Sequence, residues 1–307
     1  MVLKGVYPIV KDEIVDFNGL EKLMHYILQK NLCVDPSDHP LIFVEPPLCS
    51  RRQREKICEI VFETFKIPAL LLVDAALADL SSTGKRSGLV IRLKDLTYIV
   101  PIIDSLSLSS YIKKNMIGIG NVSSHLRRFH NKAGHSFIIS REVIKDIQDK
   151  LCYVALEPDK ESCKKTYILP NGDKINLENE LFLAPEIYFK PKMIGKESEI
   201  NPLDIEVYDT LMKVEDDFRH ILAKNIVLSG TKIHGMKERL QRELEKLAKF
   251  PIEIVQAEPN SSWVGASLIG SLSSIKYPSK HWITRKEYYE SGPIVSHSKA
   301  RSLFSGK

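Results

Sequence analysis

The chain has 307 residues, of which 43% are hydrophobic and 27% charged, as is ordinary for a globular protein. This length allows two lobes with separate cores. The net charge of +5 is only mildly basic, and the clustered basic stripe of a dedicated nucleic-acid binder is missing. No apolar run approaches the roughly 20 residues that a membrane-spanning helix needs.

The first residues and the cysteines indicate the compartment. Residues 1–4 (MVLK) do not begin the apolar core of a signal peptide, so we expect a chain that is not secreted. The five cysteines are scattered and form no C-x-x-C pair, which predicts reduced thiols in the cytosol or nucleus and argues against a zinc site. Basic residues cluster at 127–135 without an aromatic ladder beyond Phe129. A solvated or partner-facing patch is the favoured interpretation.

Residues 1–83 alternate between predicted strands and predicted helices. Short apolar runs bounded by proline or polar residues predict strands at residues 5–10, 41–44 and 69–73. Apolar residues at helical spacing predict helices at residues 19–28, 50–65 and 75–80. In the second of these helices, Phe62 and Phe65 are expected to belong to the core.

The pattern changes after residue 84. Two apolar strands, at residues 89–91 and 98–103, are predicted to be joined by a hairpin tip at residues 92–95. Asn171-Gly172 predicts the turn of another hairpin. Further helices are predicted at residues 140–154, 205–212, 214–223 and 261–272, with a short one from 184. This alternation of strands and helices predicts an α/β protein of at least two lobes, with a poorly ordered tail from Ser296.

A strand, a small-residue turn and a helix follow one another in residues 226–244. Apolar residues 226–228 predict a buried strand, Gly230 lies in the turn, and a helix is predicted from Met236. A strand that runs through a glycine turn into a helix aims backbone N–H groups at whatever lies above the strand's end, which suits a phosphate. Most such turns only end a strand, however, and this structural interpretation is favoured.

The helix of residues 261–272 is rich in small residues and is expected to pack closely through Gly265 and Gly270.

Six stretches of the chain are more specific than these patterns. They read, in order, HPLIFVEPPL, REKICEIVFETFKIPAL, IQDKLCYVAL, ILPNGDKI, KNIVLSG and ITRKEYYESGP. All six resemble actin and the actin-related proteins, in the order in which that family has them, and the resemblance covers nearly the whole chain.

The resemblance implies an actin-like α/β fold, which hexokinases and heat-shock ATPases share, with two lobes about a nucleotide cleft. By analogy, residues 1–83 and 262–307 form the base of the outer lobe. Residues 84–118 and 197–261 form the inner lobe, and residues 119–196 form its upper insertion. The outer lobe is expected to be incomplete, without the family's first strands, the phosphate loop between them and the DNase-binding insertion. The family's lower-face docking surface is expected to persist in residues 261–272 and 283–293.

The second phosphate loop of the family reads D-S-G-D-G, and here the matching residues 92–96 read RLKDL, with one residue fewer. Arg92 replaces the first aspartate, both glycines are gone, and only Asp95 remains. Without glycine the backbone cannot approach phosphates closely, and the lost carboxylate removes a support for Mg²⁺. Arg92 could contact phosphate directly, but an ordinary ion pair is the favoured interpretation.

Other positions of the family's nucleotide site are also altered. The glutamine that positions water corresponds to Asp74, or to Val73 if the alignment is shifted by one residue, and the histidine that assists it corresponds to Tyr98. The S-G-G-T turn is shortened to residues 229–231, and the lysine near the adenine has no match at residues 260–261. The residues predicted to remain at a degenerate nucleotide site are Asp95, Glu142, Lys145, Asp149, Gly230 and Thr231. Glu142, Lys145 and Asp149 could equally be the solvent face of their helix, which is the favoured interpretation.

Two hypotheses follow. In the first, the chain is a divergent actin-related protein without ATPase activity, a structural subunit of a cytoskeletal or chromatin-remodelling complex. Its partners would be actin, other actin-related proteins or complex subunits, with nucleic acid contacted only through the complex and no membrane contact. It would be cytoplasmic, or else nuclear, with weak ATP or ADP binding at most and no metal ligands. In the second, it is an ATP-binding, filament-forming actin with an N-terminally incomplete sequence. The altered internal positions favour the first, and a sugar-kinase relative would need a catalytic aspartate and a sugar pocket that we do not locate.

Overall fold

The computed structural model describes residues 7–132, 140–195, 200–272 and 281–302. The chain divides into two compact units. Unit 1 contains Met1–Val90, Val100–Ser110 and Asn260–Lys307, and unit 2 contains Ile91–Ile99 and Tyr111–Pro259. The three-part division implied by the resemblance stays a prediction. In the described ranges no helix is both long and apolar enough to cross a membrane.

Strands are short and occur along most of the chain. They are β1 (Ile9–Val10), β2 (Glu13–Ile14), β3 (Leu41–Glu45), β4 (Ala69–Asp74), β5 (Gly88–Leu93), β6 (Thr97–Ile103), β7 (Leu106–Ser107), β8 (Lys113–Asn115), β9 (Lys165–Ile168), β10 (Lys174–Leu177), β11 (Ile226–Gly230), β12 (Ile254–Gln256) and β13 (Ile283–Thr284).

The α-helices lie between and after these strands. They are α1 (Phe17–His25), α2 (Arg51–Glu59), α3 (Ala75–Ser82), α4 (Ile119–Lys132), α5 (Arg141–Leu151), α6 (Glu180–Leu183), α7 (Leu203–Lys213), α8 (Asp216–Ala223), α9 (Met236–Leu247), α10 (Ser261–Leu272), α11 (Arg285–Ser291) and α12 (Val295–Ser302). Two of them, α1 and α2, continue into π-helical turns at Tyr26–Asn31 and Ile60–Thr64.

Unit 1 is organised around a three-stranded sheet in the order β13-β4-β3. Strands β3 and β4 are parallel, and β13 pairs with β4 in the antiparallel sense. Every residue of β4 is buried, as expected of a strand with core on both faces. One core contains Phe62 and Phe65, which are 0% and 5% exposed, so the prediction that they are buried is confirmed. The other core contains Leu71, Val73 and Ala266.

Unit 2 contains most of a larger sheet in the order β12-β11-β5-β6-β7, with β8 also paired to β6. Strands β11 and β12 are parallel, and β8 is antiparallel to β6. All five residues of β11 are buried, which confirms the strand predicted there. Helix α5 begins where the hydroxyl of Ser140 accepts a hydrogen bond from the N–H of Val143 (3.3 Å). The β9–β10 hairpin turns at Gly172, whose φ is +91°.

Several sequence predictions were wrong. The segment from Ser296 is helical as far as Ser302, because the Ser296 hydroxyl is buried on Pro293 and Lys299 pairs with Glu287 (2.8 Å), while residues 303–307 lie outside the described ranges. Strand β5 extends through Leu93, so the hairpin tip is residues 94–96 and not 92–95. The predicted strand at residues 5–10 is only β1, and its residues 5–6 lie outside the described ranges.

Candidate functional site

The turn at residues 94–96 joins β5 to β6 in unit 2 and carries Asp95, which is exposed. The carbonyl of Leu93, at the end of β5, accepts a hydrogen bond from the N–H of Thr231 (2.7 Å). Gly230 lies against the same carbonyl, since a Cβ atom at this position would stand 2.2 Å from the Leu93 oxygen. The structure therefore brings together three predicted site residues, Asp95, Gly230 and Thr231, around this turn.

Residues 118–119 hold the same turn through two further carbonyls. The N–H of Ile119 donates to the carbonyl of Lys94 (2.8 Å). Gly118 packs so closely that a Cβ atom would stand 2.0 Å from the Asp95 carbonyl oxygen. None of residues 92–97 has a positive φ, so the turn has a backbone conformation that residues other than glycine adopt without strain. The close approach to a phosphate that glycines would permit is not built into it.

The start of helix α9 is packed in a similar way. Gly235, which precedes the helix, has a φ of +76°, and a Cβ atom on it would stand 2.1 Å from the Val154 carbonyl oxygen. The N–H of Val154 in turn donates to the carbonyl of His234 (2.7 Å). Both glycines of the strand–turn–helix segment, Gly230 and Gly235, are thus required by neighbouring carbonyl oxygens. The structural interpretation of this segment accounts for them without a bound anion.

The remaining predicted site residues, Glu142, Lys145 and Asp149, lie on helix α5 and are all exposed. Hydrogen bonds from its own backbone N–H and from the Ser140 hydroxyl hold the pKa of Glu142 below its usual range. Among the described residues, no hydrogen bond or ion pair joins any of the three to Gly230 or Thr231. They occupy the solvent face of the helix, and a role in binding nucleotide stays a prediction.

Asp74 and Tyr98 correspond to the family's water-positioning glutamine and its assisting histidine, and here both have structural roles. In unit 1, Asp74 is the N-cap of α3, and its Oδ1 accepts hydrogen bonds from the N–H groups of Ala76 (2.7 Å) and Leu77 (3.4 Å). A carboxylate that caps a helix has its acceptor directed at backbone donors. In unit 2, Tyr98 is 2% exposed on β6, where it pairs with Lys114 of β8.

A buried charged cluster in unit 2 escaped the sequence analysis. Arg239 on α9 donates to the Ala155 carbonyl (2.8 Å) and to Glu243 (2.8 Å), and its guanidinium lies 3.5 Å from Glu186. Glu186 is 1% exposed, and this burial raises its pKa although Arg239 and Lys190 partly offset the effect. The only sequence signal was an arginine at the i+3 position from Met236 on the apolar face of α9.

Metal ligands and reactive thiols do not extend this site. In the described ranges, no group of three or more His, Cys, Asp and Glu side chains could hold a metal ion, and for the chain as a whole this stays a prediction. All five cysteines are free thiols, and the predicted reducing compartment stays a prediction. Burial raises the pKa of Cys58 and Cys152 to about 12, so both stay protonated at neutral pH.

The fold and the site define an α/β protein whose strand–glycine–helix segment is packed against the hairpin turn at residues 94–96. A family model described as Actin matches residues 2–301 of the 307. The chain therefore belongs to the actin family, and its fold is actin-like. The resemblance found in the six sequence stretches is confirmed.

Proposed function

We propose that this member of the actin family is a structural subunit of a larger protein assembly and does not hydrolyse ATP. The observation that carries the proposal is the turn at residues 94–96. It lacks glycine and left-handed residues, and the carbonyls of Leu93, Lys94 and Asp95 are each covered by another segment. A phosphate-binding loop presents backbone N–H groups at close range, which requires glycines.

The two residues that match the family's water-positioning glutamine and its assisting histidine, Asp74 and Tyr98, support the same proposal. The Asp74 carboxylate caps α3, and Tyr98 is buried on β6, where the family has a histidine. We expect ATP or ADP to bind weakly at most, with Asp95, Gly230 and Thr231 nearest to the phosphates. Exposed Glu142, Lys145 and Asp149 would then contribute only to the purine side.

Exposed apolar side chains on unit 1 support a role in protein assembly. On helix α10, Trp263 is 71% exposed, and Leu268 and Leu272 are exposed on the same helix. Tyr289 on α11 and Ile294 after it are exposed as well. Groups of exposed apolar residues are typical of protein–protein contacts. Partner proteins would be actin, other actin-related proteins or subunits of a cytoskeletal or chromatin-remodelling complex.

Phosphate release from Mg²⁺-ATP by the purified chain tests the first part of the proposal. We expect no turnover above that of heat-inactivated protein. Turnover at the rate of a filament-forming actin, abolished by Asp95→Asn, would contradict the proposal. Sedimentation in polymerising salt provides a second readout, because long filaments above a critical concentration would favour the alternative of an ATP-binding actin.

Co-purification from native cells, followed by mass spectrometry, tests the second part. We expect a defined set of partners that the variant Trp263→Ser loses. Tyr26→Ser is the matched control, because Tyr26 is also exposed (58%) but lies on a different helical segment. Chromatin-remodelling subunits among the partners would assign the protein to the nucleus, and cytoskeletal subunits to the cytoplasm. Partners retained equally by both variants would show that α10 is not the contact surface.

A further inference from the structure

A cavity of about 220 Å³ lies in unit 2 between helix α4 and the helical turn Pro191–Ile194. Its walls are His125, Arg128 and Phe129 of the helix and Met193 of the turn. The three helical residues are spaced at i, i+3 and i+4, so they share one face of α4. The cavity is therefore formed by one helical face and the turn that faces it.

Two rings and a thioether make most of this wall apolar. The ring centroids of His125 and Phe129 are 4.7 Å apart, with their planes inclined at 41°. His125 is only 7% exposed, so packing fixes its ring, whereas Phe129 and Met193 are half-buried and line the accessible part of the cavity. A flat aromatic ligand suits such a wall, because rings pack well against other rings and against the polarisable sulfur of methionine.

Arg128 supplies a positive charge beside these apolar groups. One N–H of its guanidinium donates to the Ile194 carbonyl (3.1 Å), and its Nη2 atom lies 3.8 Å from the place that a Cβ atom on Gly195 would take. Among the described residues this is its only hydrogen bond, and no carboxylate lies within 4 Å of it. A guanidinium has five N–H donors and pairs best with a carboxylate that accepts two of them. The Ile194 carbonyl thus orients the guanidinium and leaves donors for a ligand.

Other positive charges adjoin the cavity. Lys192 precedes Met193 in the turn and is exposed, and Arg127 precedes Arg128 on α4. Across the described ranges, neither of these side chains forms an ion pair within 4 Å. Arg127 is close enough to Glu142 of α5 to interact with it electrostatically, but it does not line the cavity. An excess of unpaired positive charge at the entrance favours an anionic ligand over a neutral one.

We propose that this cavity binds a small, planar aromatic carboxylate. The carboxylate would accept two N–H groups of Arg128, and the ring would lie against Phe129, His125 and Met193. Pockets for drug-sized ligands have volumes of about 300–1,000 Å³, so a cavity of 220 Å³ limits the ligand to about two fused rings. A simple anion would leave the apolar wall uncovered, and an uncharged ring would leave the guanidinium without a counter-charge.

This inference goes beyond the proposed function and does not depend on it. The four lining residues belong neither to the turn at residues 94–96 nor to the exposed apolar side chains of unit 1. Ligand binding is measured on the purified chain, whereas the proposed function is tested by phosphate release and by partners isolated from cells.

Methyl NMR spectroscopy of the full chain, labelled with ¹³C at its methionine methyl groups, tests the proposal. The chain has six methionines, and the signal of Met193 is identified by its loss in Met193→Leu. The probe is 2-naphthoate, whose ring current shifts any methyl group that it contacts. We expect the Met193 signal to shift and to saturate with a dissociation constant of about 0.1–1 mM. The signal of Met212, which is exposed on α7 of the same unit, should not shift.

Two further probes separate the charge from the rings. The neutral 2-naphthamide has the same rings without the charge, and acetate has the charge without the rings. We expect 2-naphthamide to bind at least about tenfold more weakly than 2-naphthoate and acetate to leave the Met193 signal in place. Equal affinities for the acid and the amide would overturn the proposal, because the contact would then be apolar adhesion. A shift by acetate as large as that by 2-naphthoate, or no shift by 2-naphthoate at millimolar concentration, would overturn it as well.

Two variants that each remove one positive charge from neighbouring positions of α4 are the matched pair. Arg128→Gln should abolish the preference for the acid over the amide, whereas Arg127→Gln should leave it within about twofold of the parent value. An equal loss in both variants would overturn the proposal, since it would show attraction to a basic helix without a specific contact. Thermal melts check that both variants are folded. The comparison of acid and amide on the parent chain needs no variant, so it decides the matter if Arg128→Gln does not fold.

Discussion

Gly265 on helix α10 lies so close to Ala78 on helix α3 that a Cβ atom built on it would stand 1.7 Å from the Ala78 carbonyl oxygen. The two helices can approach only because this residue has no side chain. Gly265→Ala should therefore destabilise the protein by about 1–3 kcal/mol, even though alanine favours a helix more than glycine does. Urea denaturation of the variant measures this change.

The neighbouring glycine of the same helix provides the control. A Cβ atom at Gly270 would meet the Cδ1 atom of Ile42 at 2.2 Å, which is the end of a flexible side chain that can rotate away. Gly270→Ala should change stability by less than about 1 kcal/mol, because the helix gains what the contact loses. Equal losses of stability for the two variants would show that contact with the Ala78 backbone does not limit how closely α10 approaches α3.

Gly230 should be required for folding whether or not a nucleotide is present. Its φ is +90°, and a Cβ atom would meet the Leu93 carbonyl oxygen at 2.2 Å. Gly172 has a similar φ of +91° but nothing within 4 Å. Gly172→Ala should cost only the backbone strain, about 1 kcal/mol, whereas Gly230→Ala should cost at least about 1 kcal/mol more. Thermal melts of both variants without nucleotide measure this difference. Equal shifts of the melting temperature would contradict the close contact between Gly230 and the Leu93 carbonyl.

Phe65 should contribute strongly to the core of unit 1. It is 5% exposed at the end of the π-helical turn and belongs to the same core as Phe62 and Tyr288. Phe65→Ala should cost about 3–5 kcal/mol in denaturant melts, because it leaves a cavity. Tyr26→Ala, at a position 58% exposed, should cost less than about 0.5 kcal/mol. A loss below about 1 kcal/mol for Phe65→Ala would contradict the burial of this residue.

Glu186 should make stability depend on pH. Burial raises its pKa in the folded protein above the usual 4.5. The unfolded chain therefore releases this proton at lower pH, and the folded state loses stability as the pH rises from 4.5 through the raised pKa. Glu186→Gln removes this loss, so the variant should gain stability relative to the parent between about pH 4.5 and pH 7. Urea midpoints at both pH values measure the gain.

Glu290→Gln is the control for that prediction, since it removes a carboxylate whose side chain is 62% exposed on α11. A difference between this variant and the parent that is constant over the same pH range would assign a pH-dependent gain of Glu186→Gln to that residue and not to the loss of any carboxylate. A constant difference for Glu186→Gln as well would show that Glu186 titrates alike in the folded and unfolded states.

The strands and helices of the fold were largely predictable, because their burial follows the periodicity of single segments. The apolar runs that became β3, β4 and β11 and the periodic segment that became α9 were found in this way. The β1–β2 turn was missed, because Lys11 and Asp12 adopt positive φ values of 51° and 62° without the glycine that usually signals such a turn. Helix α4 was also missed.

The candidate site was predictable only in part. The sequence placed Asp95, Gly230 and Thr231 at one site through the family resemblance. In the structure Gly230 and Thr231 lie against the Leu93 carbonyl, two residues before Asp95, and the site itself stays a prediction. The use of Asp74 as a helix cap and the pairing of Arg239 with Glu186 depend on which distant segments meet. Neither relationship leaves a periodic signal, so a single sequence cannot supply it.

Under the proposed function, the clamped turn at residues 94–96 limits the substitutions by which ATP chemistry could arise in this protein. The carbonyl of Leu93 is covered by residues 230–231, and those of Lys94 and Asp95 are covered by residues 118–119. A glycine introduced at one position of the turn therefore loosens these contacts before it creates any phosphate contact. Several substitutions in three segments would have to arise together, and the intermediates would be less stable than either endpoint. Under that proposal, descendants of this protein are expected to change their partner surfaces more readily than to acquire a phosphate-binding turn.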